Sequence, residues 1–273
     1  MASDERSMPF IKNLASSERK VRTDALTTLR TFLTASTTTR TLTPLEHLKL
    51  WKGLFYALWM ADRPIPQQNL CAELAALLGI LPDDAVVPFL RAFWETLSRE
   101  WTSIDVLRME KFMLLVRRVL GASFAWAREG GSSGGKKGSK KSSKTNTKET
   151  RADAMLALLR EWPIEETGDL SKVSVGLRLH VLDIWVDEAE KLGMTGEDAT
   201  EADAAFLQGV KAVVEKQLKS PSKPVRARAK EGLSDERLPW NEKTAEDEEM
   251  GEDGDDDEAK DAGEKDGWGG FDD

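Results

Sequence analysis

The chain has 273 residues, of which 40% are hydrophobic and 32% charged, enough to bury a sizeable core. Its single cysteine, Cys71, excludes an intrachain disulfide and a cysteine-rich zinc site and suits a reducing compartment, while two histidines, His47 and His180, leave little material for a histidine triad or metal centre. The formal charge of -9 is unevenly spread: residues 241–273 are dominated by Asp and Glu and the preceding chain is net positive, so an acidic average does not exclude a nucleic-acid partner.

The predicted elements are helices throughout. Ser17 reads as an N-cap, with Val21, Ala25, Leu29, Phe32 and Leu33 recurring at helical spacing behind it. Thr43-Pro44 marks a second start, a hydroxyl to cap and a proline at the first helical position. Leu45, Leu48, Trp51, Leu54, Phe55, Leu58 and Trp59 then form an apolar surface broad enough to touch neighbours on two sides. DRPIP is expected to break the chain before a helix over 67–78, because proline cannot sit inside a helix without losing a hydrogen bond. Cys71 falls there as a small core residue.

Leu81-Pro82-Asp83-Asp84 turns into a stripe of Val86, Phe89, Leu90, Phe93, Trp94, Leu97 and Trp101. Ser103 is expected to open a long helix toward Ala127. Residues 129–149 hold no apolar side chain and read as a flexible basic linker. Helices resume near Arg151. Val173, Val175, Leu177, Leu179 and Val181 alternate like a strand, but Trp185, Ala189 and Leu192 continue at helical spacing and favour a helix. Two further helices fit 201–219 and 224–232, and residues 241–273 form a disordered acidic tail. The expected fold is all-α: a HEAT-like stack of antiparallel helical pairs (an α-solenoid) over residues 1–240, interrupted at 129–149.

Two segments carry more than periodicity. LWKGLFYALWMADRPIPQQNLCAELAALL at 50–78 places Trp51, Lys52, Gly53, Leu54, Phe55 and Tyr56 ahead of Leu58, Trp59, Met60 and the Gln67/Gln68 pair. FWETLSREWTSIDVLRMEKFMLLVRRVL at 93–120 sets Arg99-Glu100-Trp101 before Ile104-Asp105, Arg108-Met109, Lys111 and Phe112. On these, and on the opening PFIKNLASSERKVRTDALTTLRTFL, the chain resembles the ribosomal RNA-processing protein one family over about residues 8–128, and less over 150–240. The resemblance implies a nucleolar, non-catalytic scaffold of early pre-60S particles. Such a scaffold is needed for large-subunit precursor (27S) rRNA processing and binds assembly factors, ribosomal proteins and pre-rRNA. A helical-repeat adaptor unrelated to ribosomes is the alternative.

No catalytic constellation is visible. There is no GxxxxGK[ST] phosphate loop, and GGKKGSKK has no strand before it. Asp253, Asp255, Asp257 and Glu264 fall at calcium-loop positions, but Glu258 stands where the turn needs glycine. No cofactor, metal, membrane or small-molecule substrate is expected. His180 reads as a hydrogen-bonded packing residue, and most of Trp51, Trp59, Trp94 and Trp101 as core. RNA-phosphate contacts are expected from Lys20, Arg22, Arg108, Lys111, Arg117, Arg118, Arg226, Arg228 and Lys230, since a basic stripe attracts RNA without reading its sequence. Trp240, Trp268 and Phe271 are candidates for partner docking, as aromatic anchors concentrate at interface hot spots. Lys136, Lys137, Lys140, Lys141 and Lys144 suit nuclear import.

Overall fold

A computed structural model of the chain describes residues 10–36, 42–129 and 150–241. The linker lysines 136, 137, 140, 141 and 144, Trp268, Phe271 and the expected tail beyond Asn241 lie outside these residues. Among the described residues there are ten α-helices and no strand: α1 (Phe10–Leu14), α2 (Arg19–Ser36), α3 (Pro44–Trp59), α4 (Pro64–Ala75), α5 (Asp83–Glu100), α6 (Val106–Glu129), α7 (Arg151–Glu161), α8 (Val175–Lys191), α9 (Glu201–Lys216) and α10 (Lys223–Leu233). Short 3-10 turns follow α4, α5 and α9 at Ala76–Ile80, Trp101–Ser103 and Gln217–Lys219.

The sequence explains where the helices start. Thr43, Thr150 and Thr200 each close a capping box with the acidic residue three positions on, Glu46, Asp153 and Asp203. Two expected caps are corrected. α2 begins at Arg19, and Ser17 does not cap it; Ser16 Oγ accepts from Glu18 N instead. α6 begins at Val106, with Asp105 Oδ1 accepting from Arg108 N at 3.1 Å, so Ser103 ends a 3-10 turn rather than opening the helix. DRPIP does not precede a helix but starts one: Pro64 and Pro66 occupy the first turn of α4, where the missing N–H groups have no intrahelical partner to lose. The alternating stretch after Val173 is helical from Val175, with Ser174 accepting from Leu177 N.

The helices pack in pairs, and the pairs stack. Along one layer α1 lies against α3, α3 against α5, α5 against α7 and α7 against α9. Along the other, α4 lies against α6, α6 against α8 and α8 against α10. A helix with neighbours on two sides needs a wide apolar surface, and α3 has one: Leu50, Trp51, Leu54, Phe55, Ala57 and Leu58 are all buried. Leu45 at its start is the exception, 54% exposed. Trp51 packs between Phe89 and Phe93 of α5 and donates from Nε1 to the Phe89 carbonyl at 2.8 Å, so its polar atom is satisfied inside the core. Trp94 and Trp101 are buried too, and Trp59 is half-buried. In the second layer, α2 does not run along α4 as its successors do with one another; it meets that layer through the 3-10 turn Ala76–Ile80.

Candidate functional site: basic helix faces and an apolar edge

The nine basic residues expected to reach RNA have different fates. Lys20, Arg118 and Lys230 are exposed. Arg22 and Arg226 are half-buried and do the same local work at opposite ends of the stack. Arg22 Nη1 donates to the carbonyls of Ser16 and Ser17, both at 2.8 Å, and Arg226 Nη1 to those of Ser220 and Pro221 at 2.7 and 3.1 Å. Each guanidinium thereby holds the turn that feeds its own helix.

Arg117 pairs with Asp187 and Glu188 of α8 at 3.0 and 3.2 Å, and Arg228 with Asp183 at 2.7 Å. Arg108 pairs with Asp105 and lies 4.9 Å over the Trp59 ring, a cation–π geometry. Lys111 corrects the expectation most sharply. It is 5% exposed, and its Nζ donates to the carbonyls of Trp59 and Ala61 at 2.7 and 2.8 Å. The Trp59 carbonyl is the last of α3, and the Ala61 carbonyl, which also accepts from Gln67 Nε2 at 2.8 Å, lies in the turn after it, so the ammonium closes a helix terminus instead of facing solvent. Burial, opposed chiefly by Asp62, holds its pKa below the ordinary lysine value.

Beside this brace is an apolar edge. Val106 and Leu107, in the first turn of α6, are 88% and 93% exposed, and Ile65, in the first turn of α4, is 71% exposed. Cys71 Sγ of α4 lies 3.5 Å from the Lys111 carbonyl of α6, and Lys111 reaches back to the turn that precedes α4, so the two helices start side by side. Exposed single hydrophobics need no explanation, but two adjacent ones this open at a helix start do.

Trp240 is engaged by its own body. Its Nε1 donates to the Leu233 carbonyl at 3.1 Å and the Lys211 ammonium sits 4.7 Å over its ring, which closes off α10. His180 packs as expected, Nε2 donating to the Met113 carbonyl at 2.9 Å, and His47 Nδ1 donates to the Thr43 carbonyl at 3.1 Å. Burial lowers the pKa of both rings, which favours the neutral form. Cys71 is a buried core residue whose thiol burial pushes up to about 12, so it carries no thiolate at neutral pH. Among the described residues no group of three or more His, Cys, Asp or Glu side chains could hold a metal ion, and no helix is long and apolar enough to cross a membrane.

Sequence reasoning missed the charged groups inside the body. Arg178 is fully buried on α8; Nη1 donates to Gln217 Oε1 at 2.8 Å and to the Glu165 carbonyl at 3.2 Å, and Nη2 donates to the Asp169 carbonyl at 2.9 Å. Glu165, 3% exposed and at φ 54°, supplies the opposing carboxylate 3.5 Å away and accepts from the backbone N–H groups of Thr167 and Asp169. The α7–α8 loop is thus built around one guanidinium. A second cluster joins Arg237 to Asp235, Asp187 and Glu190. The Arg237 hydrogen bonds hold the Asp235 carboxyl below the usual range; burial opposes the same effect at Asp187, where Arg117 and Arg237 override it. No local pattern announces these clusters, because the two arginines have partners up to 50 residues away.

The arrangement defines a class: an all-helical protein, among the described residues, built of stacked helical pairs. A family model described as "Nucleolar protein, Nop52" matches residues 5–268, and the chain belongs to that family. It is 34% identical over 187 residues to the human protein named ribosomal RNA processing protein 1 homolog B, an alignment covering 67% of this chain and 22% of that protein. It is 35% identical over 185 residues to mouse ribosomal RNA processing protein 1 homolog A, covering 67% of this chain and 34% of the relative. A Caenorhabditis elegans homolog of the same name is 33% identical over 121 residues, 44% of this chain and 30% of its own length. The aligned part of this chain spans between a fifth and about a third of these relatives. Membership bears out the family resemblance of the two motif-bearing segments and the nucleolar location it implied.

Proposed function

We propose that this protein is a non-catalytic assembly factor of the nucleolar pre-60S particle, acting in large-subunit precursor (27S) rRNA maturation as a scaffold for other assembly factors and ribosomal proteins. The observation that carries the reading is the family match over residues 5–268, together with relatives named for ribosomal RNA processing. The fold supports it: stacked helical pairs offer long continuous surfaces for partners. The domain organisation follows the same reading, a helical body over 1–240 with a basic spacer at 129–149 and an acidic tail at 241–273.

Protein contacts dominate in this proposal. The edge of Val106, Leu107 and Ile65 suits an apolar partner surface, whereas Lys111 is buried and Arg117 and Arg228 are engaged in ion pairs with α8. Of the nine candidates, Lys20, Arg118 and Lys230 are exposed and have no ion pair among the described residues, and RNA contact is left to them as a sequence-independent contribution. The test is affinity purification of the tagged full chain, with mass spectrometry and probing for precursor rRNA. Co-purification of 27S precursor with large-subunit assembly factors is expected. Recovery of neither, with soluble cargo proteins in their place, replaces the proposal with a helical-repeat adaptor outside ribosome assembly.

A further inference from the structure

Every helix of the second layer from α4 onward lies along its neighbour, but between α2 and α4 that layer opens into a groove of about 840 Å³. The opening is braced. At one end Arg22 Nη2 donates to the Met60 carbonyl at 3.1 Å, tying α2 to the end of α3; at the other, α2 rests on the 3-10 turn Ala76–Ile80. A gap pinned on both sides is held open by the fold, whereas every later pair of neighbours in the layer is in direct contact.

We propose that this groove is a docking site for an acidic amphipathic helix of a partner protein. The floor and the rim have different chemistries. Leu26, Met60 and Leu70 line the apolar part, where a helix would lay its hydrophobic stripe. Arg19, Arg22, Arg30 and Arg63 surround it against two carboxylates, Asp62 and Glu73, so the rim carries an excess of positive charge. Arg19, Arg30 and Arg63 are exposed, and no ion pair holds them among the described residues. Carboxylates on the outer face of a docked helix meet these guanidinium groups in the planar geometry that arginine favours. No aromatic side chain lines the groove, so the bases of a nucleic acid have nothing to stack upon, while the apolar floor has no use for phosphate. The inference goes beyond the assembly role by naming a surface and the chemistry of its occupant, and it does not depend on which particle the protein joins.

The test uses the full chain in cells with p-benzoylphenylalanine in place of Thr27, an exposed residue on the groove wall, and a control with the same group in place of Lys216 on α9. After irradiation the crosslinked segment is sequenced, synthesised with a fluorophore and titrated against the full chain. The expected result is a Thr27-specific crosslink to a protein segment rich in Asp and Glu with apolar residues at helical spacing. Its affinity should fall at least tenfold in R19E/R30E/R63E and in R19Q/R30Q/R63Q, whose melting temperatures stay at the unsubstituted value. A crosslink to RNA, a segment without acidic excess, no crosslink specific to Thr27, or a smaller loss in the glutamine variant overturns the proposal. None of these outcomes bears on the purification test above, which reads the particle and not the groove.

Discussion

Replacing Arg178 with methionine tests the claim that one buried guanidinium builds the α7–α8 loop. Methionine keeps much of the side-chain volume, so packing is largely preserved. What is lost is a donor set: the carbonyls of Glu165 and Asp169 and Oε1 of Gln217 lose the guanidinium N–H groups aimed at them, and the Glu165 carboxylate is left in the interior without its cation. Breaking a buried ion pair from one side costs about 3–5 kcal/mol, a large part of the roughly 5–15 kcal/mol that holds a domain together. For a body of this size each kcal/mol moves the melting temperature by about 2–4 °C, so a drop of about 6–20 °C is expected by calorimetry. Urea unfolding followed by tryptophan fluorescence should show a lowered midpoint at unchanged slope. Adding Glu165→Gln removes the stranded charge, so R178M/E165Q should be less destabilised than the sum of its single variants. A cost below about 1 kcal/mol for R178M, or strict additivity in the double variant, would show that the loop is held by packing and not by this network.

Three further predictions use the same logic. Lys111→Met strips two donors from the end of α3 and should cost about 2–4 kcal/mol by urea unfolding, whereas the exposed Arg118→Met nearby should change stability by less than about 0.5 kcal/mol; equal effects would refute the brace. Gly209→Ala should destabilise although alanine is the better helix former by about 1 kcal/mol, because a Cβ there would stand 2.3 Å from Leu156 Cδ1 where α9 crosses α7; a raised melting temperature would contradict that close approach. For His47 and His180 the folded pKa lies below the unfolded value, so the unfolded chain takes up protons first as pH falls. Their contribution is present above the unfolded pKa of about 6.5 and is lost as pH drops from there toward the lowered folded values. Stability measured between pH 7 and 5 should decline, and H47Q/H180Q should flatten that slope; an unchanged slope would assign the loss to carboxylates.

The internal ion pairs also bear on how the stack coheres. Arg117 links α6 to α8 through Asp187, and the same Asp187 accepts from Arg237 beyond α10. Arg128, at the end of α6, reaches Asp203 in the first turn of α9 at 2.8 Å. Nearest-neighbour interfaces dominate the stability of a stacked-pair fold, and these pairs add polar register marks to interfaces that apolar contact alone leaves free to slide. Several lie partly exposed, so their individual contributions to stability are small, and positioning is the effect that survives.

Local chemistry alone determined the helices. The capping threonine at 43, the prolines at 44 and 224, and apolar residues at helical spacing are interactions between residues a few positions apart, and a sequence displays those directly. The family resemblance was legible for a related reason, since the packing-rich runs at 50–78 and 93–120 are contiguous. The strand-like alternation after Val173 was resolved by the longer helical run behind it. Tertiary structure alone decided which charges are available. Lys111 and Arg118 lie seven residues apart on one helix and look alike in sequence, yet the first is buried against the end of α3 and the second faces solvent. Arg178 gives no sign of its role, because Gln217 is 39 residues away and the Glu165 loop is folded around it. The groove between α2 and α4 is likewise invisible to periodicity, which says that a helix has an apolar face but not which neighbour fails to cover it. Covering a face depends on how pairs stack, and stacking is settled by contacts between residues far apart in the chain.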